Sequence, residues 1–274
     1  MIIASEAPAD SVDRVAAESL CVGRILGDRA GEYLQKTQTK VEEHEYPSGR
    51  RVIKARTGLD CQIIDKRGRL IRTYTDRNSK QAHSMRITWR IQKNRQNGQQ
   101  ITVAADLDNP KICPVQNAFN MLRRKQRLNH SFDLPLLIYL TKQGEIRYLT
   151  ANKMAAFLRS AVKKAYPETP DEKLKLYSAH SIRVWACVLL SESGKSPDFI
   201  KKRLRWMGES YRVYLRDTQA INKQHKDALA KSSSAVTALL NKLGDDSLPT
   251  ETAEDETMGD YADIVLKNST PLSY

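Results

Sequence analysis

The chain of 274 residues has few of the features that mark secreted, disulfide-rich or membrane proteins. Its only cysteines, Cys21, Cys61, Cys113 and Cys187, are far apart and form no Cys-x-x-Cys pair. This spacing excludes the common zinc and disulfide frameworks and favours a reducing compartment. No apolar run approaches the roughly 18 residues of a membrane span, and the first residues lack the apolar core of a secretory signal. We therefore expect a globular, intracellular protein that has no membrane partner.

Two motifs of phosphate chemistry are also missing from the sequence. There is no Gly-x-x-x-x-Gly-Lys-Ser/Thr loop to hold a nucleotide, and no clustered set of Asp and Glu to hold paired metal ions. We therefore expect neither a cofactor nor a metal site. In a protein that acts on phosphates, neutralisation of charge would then fall to Arg and Lys.

Arg and Lys are abundant, and they are unevenly distributed. The net charge of the whole chain is +13, but residues 245–274 carry eight acidic residues and one Lys, a net charge of −7. The preceding residues carry 44 basic and 24 acidic side chains, a net charge of +20. A folded body this basic indicates a polyanionic partner, most often nucleic acid. A basic but otherwise ordinary globular protein is the alternative.

The pattern of apolar residues predicts a helix, then strands, then more helices. Residues 12–36 have helical periodicity, and residues 40–76 hold short β-type runs between glycines and a proline. Met85–Lys93 alternates, Asn97-Gly98 is a strong turn signal, and Gln100–Ala104 pairs back as a hairpin. Further helices are predicted from Pro114 onward and over residues 152–166, 179–192, 196–205, 210–231 and 235–243. This order predicts a mixed α+β domain, mostly helical, with a small three-stranded antiparallel sheet at one edge.

His180-Ser-Ile-Arg183 carries the first chemical signal. On a helix, residues three apart lie on one face, so His180 and Arg183 would stand one turn apart. A His that exchanges a proton beside an Arg that binds phosphate suits phosphodiester chemistry. Taken alone, the pair equally fits two solvated side chains on a helix surface.

Two aromatic residues follow this pair at defined distances. Trp206 comes 23 residues after Arg183, and Tyr214 comes eight residues after Trp206. Both could be ordinary core aromatics, and Tyr211 competes with Tyr214 as the reactive phenol. The spacing favours Tyr214.

His180, Arg183, Trp206 and Tyr214 together resemble the second half of the active site of the tyrosine recombinases, the phage-integrase-like enzymes. The resemblance predicts an upstream Arg-x-x-Glu box, and Gly27-Asp28-Arg29-Ala-Gly-Glu32 fits it, although Asp28 replaces the usual Leu. It also predicts a Lys on a β-hairpin, for which Lys93 is the candidate and Lys80 and Arg95 are rivals. The match covers residues 15–220, and Trp206 with the segment Arg203-Leu-Arg-Trp206 resembles the motifs of recombinases of mobile elements.

The resemblance implies a role for each residue. Tyr214 would attack a DNA phosphodiester and form a 3′-phosphotyrosine, so that a free 5′-hydroxyl could later rejoin the strands without ATP or metal. Arg29 and Arg183 would bind the phosphate oxygens, His180 would exchange a proton, and Lys93 would protonate the leaving 5′-oxygen. Trp206 would pack against the site in place of a second His and offer its indole N–H to the phosphate.

The resemblance also implies partners and a domain layout. The expected partner is double-stranded DNA, bound by a homotetramer on two sites, in the nucleus of a eukaryote or the cytoplasm of a bacterium. Residues 1–231 would form the catalytic domain, and residues 232–274 a docking helix and an acidic, disordered tail. Only 28 residues precede Arg29, so the N-terminal domain with which relatives clamp DNA is expected to be absent. A tyrosine-type topoisomerase and a non-catalytic DNA-binding protein with the same fold are the alternatives.

Overall fold

The computed structural model describes residues 7–92 and 97–215. All of these residues belong to one compact unit, so the predicted domain boundary near residue 231 lies outside them. The α-helices of the described residues are α1 (Val12–Leu26), α2 (Ala30–Tyr33), α3 (Asp76–Ser79), α4 (Pro114–Arg127), α5 (Ala151–Ala165), α6 (Asp171–Lys175), α7 (Ser181–Glu192) and α8 (Pro197–Leu204). Short 3-10 helices cover Gly58–Asp60 and Glu209–Leu215.

The strands are short and form antiparallel sheets. They are β1 (Glu43–Glu45), β2 (Arg51–Ile53), β3 (Cys61–Ile64), β4 (Leu70–Ile71), β5 (Ser84–Trp89), β6 (Gln99–Ala104), β7 (Ile138–Leu140) and β8 (Ile146–Tyr148). The largest sheet has the order β4-β3-β5-β6, while β1 pairs with β2 and β7 with β8. The predicted α+β class, mostly helical, is confirmed. The main sheet has four strands where three were expected, because the two-residue strand β4 pairs with β3.

The first predicted helix ends earlier than its periodicity indicates. Ser11 caps the N-terminus of α1 by accepting a hydrogen bond from the Arg14 backbone, and Gly27 ends the helix in the left-handed conformation, with φ of 55°. The chain then forms the one-turn helix α2 and is extended again at Leu34. The prediction of one helix over residues 12–36 is therefore wrong beyond Leu26.

Helix α1 lies at the centre of the core. It packs against α4, α7, α5 and β7, and its residues Val15, Ala16 and Leu26 are fully buried. The four cysteines are also buried, each as a free thiol. Since α1 contacts elements from both halves of the chain, it fixes the loop after Gly27 relative to α7.

The predicted hairpin is present as β5 and β6. Met85, Ile87 and Trp89 of β5 are buried on one face, as their alternation predicts. The ladder pairs Trp89 with Gln99, next to the turn residue Gly98, which has φ of 83°. The strand ends at Trp89, short of the predicted Lys93, and residues 93–96 lie outside the described residues.

Helices α7 and α8 and the 3-10 helix Glu209–Leu215 share a second apolar cluster. Its buried members are Ala186, Cys187, Ile200, Leu204 and Tyr211. Of the helix predicted over residues 210–231, the described part is the 3-10 helix, and the predicted helix 235–243 and acidic tail lie beyond residue 215. No helix among the described residues is long and apolar enough to span a membrane.

Candidate active site

His180 and Tyr214 contact each other although 34 positions separate them in the sequence. His180 occupies the N-cap position of α7, and Tyr214 lies on the 3-10 helix Glu209–Leu215. His180 Nε2 is 3.0 Å from Tyr214 Oη, and their ring centroids are 5.6 Å apart. With its proton on Nδ1, the imidazole accepts the phenolic hydrogen. This is the geometry that a base needs to activate a phenol.

The surroundings of His180 favour its neutral form. Atoms packed around the ring lower the pKa of His180 below its usual value, and the positive charge of Arg183 lowers it further. A neutral imidazole at physiological pH retains the lone pair with which it accepts a proton. The electrostatics of the site therefore agree with the role of proton acceptor.

Arg183 is buried one helical turn from His180. Its Nη2 donates to the carbonyl of Leu204 at 2.7 Å, and its Nη1 donates to the carbonyl of Gly27. Burial lowers the pKa of Arg183 to about 10, and the charges of Arg29 and Arg205 act in the same direction. At neutral pH the guanidinium stays charged, so it contributes a positive charge in a site of low dielectric.

Trp206 lies between Arg183 and the two tyrosines. The guanidinium carbon of Arg183 is 4.2 Å from the centroid of the indole, a cation–π distance. The ring stacks on Tyr214 at 5.7 Å and tilts against Tyr211 at 5.8 Å. Trp206 therefore sets the spacing between the buried Arg and the phenol that contacts His180.

The two tyrosines have different surroundings. Tyr211 is 1% exposed and belongs to the apolar cluster beneath Trp206. Tyr214 is half-buried, and its hydroxyl faces His180. The Tyr214 hydroxyl therefore has a candidate base within hydrogen-bond distance, whereas the Tyr211 ring packs against apolar residues.

Arg29 begins α2 beside the same site. Its backbone N–H and Nη1 donate to the two oxygens of Glu32, at 3.0 and 2.9 Å, and its Nη2 donates to the Arg205 carbonyl at 3.3 Å. The side chain is 26% exposed, so part of its fork faces solvent. Its charge contributes to the lowered pKa of Arg183, which places the two guanidinium groups within electrostatic reach.

The structure explains both residues that precede Arg29, the expected Gly27 and the unexpected Asp28. A Cβ on Gly27 would lie 2.4 Å from Leu204 Cδ2, and the residue already has positive φ. Asp28 is buried, and its Oδ1 accepts from Arg56 Nη2 at 2.8 Å and from Trp89 Nε1 at 2.9 Å. At this position the resemblance predicts Leu. The chain has Asp28 instead, and its carboxylate forms a buried ion pair with Arg56.

Sequence reasoning missed three residues of this region, Asp28, Arg56 and Arg205. They form a buried charged layer beneath Arg29 and Glu32 in which Arg205 is 2% exposed. Nothing in the local pattern distinguishes these arginines from the many solvated ones in a chain with 45 Lys and Arg. The only signal was Asp28 itself, a charged residue where an apolar one was expected.

The predicted Lys93 and its rival Arg95 lie outside the described residues. The other rival, Lys80, is an exposed residue at the C-terminal end of α3. Gln92, the last described residue before Lys93, is buried and its Oε1 accepts from Arg205 Nε at 3.1 Å. The structure thus brings together Arg29, His180, Arg183, Trp206 and Tyr214, and describes the chain up to the residue that precedes Lys93.

The described residues contain no group of three or more His, Cys, Asp or Glu side chains that could hold a metal ion. Arg29, Arg56, Arg183 and Arg205 carry positive charge in this region. Comparison with protein-family models and with curated protein sequences finds no match to this chain.

Proposed function

We propose that the protein is a DNA strand transferase of the tyrosine recombinase type, with Tyr214 as its nucleophile. The observation that carries the proposal is the 3.0 Å contact between His180 Nε2 and Tyr214 Oη, one helical turn from Arg183, whose pKa is lowered by burial and by the charge of Arg29. A hydroxyl, a neutral base and concentrated positive charge are what attack on a phosphodiester requires.

The reaction begins with removal of the phenolic proton. A phenol has a pKa of about 10 and is a weak nucleophile at neutral pH until a base takes its proton. His180 Nε2 accepts that proton while Tyr214 Oη forms a bond to phosphorus and the bond from phosphorus to the 5′-oxygen breaks. The leaving oxygen needs a proton, which the resemblance assigns to Lys93. The products are a 3′-phosphotyrosine and a free 5′-hydroxyl.

The two arginines have different parts in binding the phosphate. Arg29 is partly exposed, so direct contact with the non-bridging oxygens falls first to its fork. Arg183 lies behind Trp206 with both Nη atoms bonded to backbone carbonyls, and adds a fixed positive charge. Preorganised charge of this kind stabilises the extra negative charge of the transition state.

Double-stranded DNA is the proposed partner because of the chain's charge. The net charge of +20 before residue 245 suits a polyphosphate, and each phosphate neutralised should contribute about −0.9 to the slope of log affinity against log salt. A homotetramer on two DNA sites, inside the cell where DNA is present, completes the proposal. An affinity that is independent of salt would contradict DNA binding.

A nicked suicide substrate tests the chemistry. Cleavage near the nick releases a short 5′-hydroxyl fragment, and the covalent protein–DNA adduct accumulates without ATP and in the presence of EDTA. Tyr214→Phe should form no adduct, while the matched variant Tyr211→Phe should form one. Adduct that survives in Tyr214→Phe and disappears in Tyr211→Phe would show that Tyr211, and not Tyr214, is the nucleophile.

A second substrate distinguishes recombination from DNA relaxation, which uses the same chemistry. A plasmid with two target sites should yield recombinant product. Relaxation of supercoils without recombinant product would indicate a topoisomerase, and binding without any adduct would indicate a non-catalytic DNA-binding protein.

A further inference from the structure

Arg205 has a backbone conformation that suits glycine. It is the C-cap of α8 with φ of 59°, and only Asn129 shares a positive φ among the non-glycine residues described. The left-handed region is unfavourable for a residue with a Cβ, and such residues persist where their surroundings fix them. The side chain of Arg205 therefore has contacts that hold it there.

Those contacts use every nitrogen of the guanidinium. Nε donates to Gln92 Oε1 at 3.1 Å, Nη1 donates to the Leu26 carbonyl at 3.1 Å, and Nη2 donates to Glu32 Oε2 at 2.7 Å. The guanidinium carbon is also 3.8 Å from the centroid of the Trp89 ring. The side chain of Arg205 thereby joins Leu26 at the end of α1 to Glu32 of α2. It also contacts Trp89 at the end of β5 and Gln92 just after that strand.

Arg205 also contacts Arg29 directly through its carbonyl, and indirectly through the Glu32 carboxylate. The Glu32 carboxylate that receives Arg205 Nη2 also accepts from the backbone N–H and Nη1 of Arg29. The carbonyl of Arg205 accepts from Arg29 Nη2 at 3.3 Å. The three hydrogen bonds that Arg29 donates to described residues therefore end on the Arg205 carbonyl or on the carboxylate that Arg205 contacts.

We infer that Arg205 is a positioning residue for Arg29, and that it holds Glu32 so that the exposed part of the Arg29 fork faces the DNA phosphate. The inference rests on the proposed function. A Lys at this position would keep the positive charge but could not donate to Gln92, Leu26 and Glu32 in one plane. Arg205→Lys should therefore displace Glu32, and with it Arg29, while leaving the charge of the buried layer unchanged.

Three DNA substrates distinguish this role from a general structural one. The first is the ordinary phosphodiester, on which single-turnover cleavage by Arg205→Lys should fall on the order of 10- to 100-fold, as expected for a misplaced catalytic group. The second carries a methylphosphonate at the cleavage site, which has no negative charge for Arg29 to neutralise. The third carries a bridging 5′-sulfur, whose thiolate leaves without a proton donor because a thiol is far more acidic than an alcohol.

The expected pattern follows from the role of Arg29. On the methylphosphonate the ratio of wild-type to Arg205→Lys rates should shrink to within about threefold, as it should for Arg29→Ala, because the lost arginine function is no longer needed. On the 5′-sulfur substrate the ratio should stay as large as on the phosphodiester. An undiminished ratio on all three substrates would show a purely structural role, and recovery on the 5′-sulfur substrate would show that Arg205 acts on the leaving group. Either result overturns the inference.

Two further variants keep the test decisive. Glu32→Gln removes the carboxylate that links the two arginines, so it should give the same substrate pattern even if Arg205→Lys does not fold. Arg124→Lys is the matched control, because Arg124 is also buried and pairs with Glu18 at 2.7 Å, and none of its described partners belongs to the site. It should cleave all three substrates at ratios near one. A wild-type protein that forms no adduct would contradict the proposed function itself, whereas the outcomes above concern Arg205 alone.

Discussion

The guanidinium of Arg183 joins the end of α1 to the end of α8, because its Nη1 donates to the Gly27 carbonyl and its Nη2 to the Leu204 carbonyl. Gly27 precedes the Arg29 box, and Leu204 precedes Arg205 and Trp206. The position of Arg183 is therefore coupled to Arg29, two residues after Gly27. It is also coupled to Trp206, whose indole contacts the Arg183 guanidinium. Substitutions at these contacts should affect folding and cleavage together.

Gly27→Ala should destabilise the protein more than an ordinary substitution at a left-handed glycine. The new Cβ incurs the left-handed backbone cost of roughly 1–2 kcal/mol, and it also collides with the side chain of Leu204 at 2.4 Å. Gly144→Ala is the control, since Gly144 has φ of 79° and open space around it. Denaturant unfolding should show a larger loss for Gly27→Ala, and equal losses would contradict the packing at this point.

Acid should inhibit cleavage at a lower pH than the ordinary pKa of histidine would give. Burial, and then the charge of Arg183, lower the pKa of His180, so the imidazole stays neutral until the pH falls below 6.5. Single-turnover rates between pH 5 and 8 should decline with an inflection below that value, and His180→Gln should lose the inflection. An inflection above 6.5 would contradict a neutral His180 in the site.

The same shift has a consequence for stability. Between the lowered pKa and 6.5, the unfolded chain binds a proton at His180 that the folded protein does not bind. The free energy of unfolding should therefore fall as the pH is lowered through this window. In His180→Gln the fall should be smaller, as measured by denaturant titration at several pH values.

Asp28→Asn should be strongly destabilising. Burial alone would raise the pKa of Asp28, but the charge and hydrogen bond of Arg56 outweigh it and hold the pKa below its usual value. Loss of the carboxylate leaves the Arg56 charge buried without its partner, which costs about 3–5 kcal/mol in similar pairs. The double variant Asp28→Asn/Arg56→Met removes both charges and should lose less than the sum of the single changes. Additive losses would show that the two residues do not interact energetically.

Two substitutions separate the packing role of Trp206 from its indole N–H. Trp206→Ala removes the ring that contacts Arg183, Tyr211 and Tyr214, and should cost about 2 kcal/mol of stability because the ring is only half-buried. Trp206→Phe retains a ring and should cost about 1 kcal/mol. If the indole N–H binds phosphate, Trp206→Phe should still slow cleavage roughly tenfold, by loss of one hydrogen bond. An unchanged rate in Trp206→Phe would limit Trp206 to packing.

Sequence patterns correctly predicted those helices and strands whose formation depends mainly on neighbouring residues. The hairpin follows from alternation and Asn97-Gly98, and the helices predicted over residues 152–166 and 196–205 are present as α5 and α8, capped by Thr150 and Ser196. The helix over residues 12–36 failed because Gly27 adopts positive φ where Leu204 leaves no room for a Cβ, a contact between distant segments. Residues 70–74 were predicted as a β-type run, but the expected sheet had three strands; Leu70–Ile71 of that run forms β4 and pairs with β3 as the fourth.

The same division applies to the site. Arg29, His180, Arg183, Trp206 and Tyr214 were predicted from spacing and resemblance, which are properties of the sequence alone. The charged layer of Asp28, Arg56 and Arg205 could not be predicted in this way. It depends on which arginines are buried in the folded protein, and residue type alone does not determine burial. The choice between Tyr214 and Tyr211 gained its physical basis only from the burial of Tyr211 and the contact of Tyr214 with His180.

The contact between Arg183 and the Gly27 carbonyl spans 156 positions of the chain. During synthesis, the Arg29 box leaves the ribosome long before α7, and Tyr214 emerges later still. Under the proposed function, a nascent chain would therefore not hold its nucleophile, base and phosphate-binding arginines in one place until residue 214 is released. Partly made protein that met DNA would then be unable to leave a covalently blocked strand break.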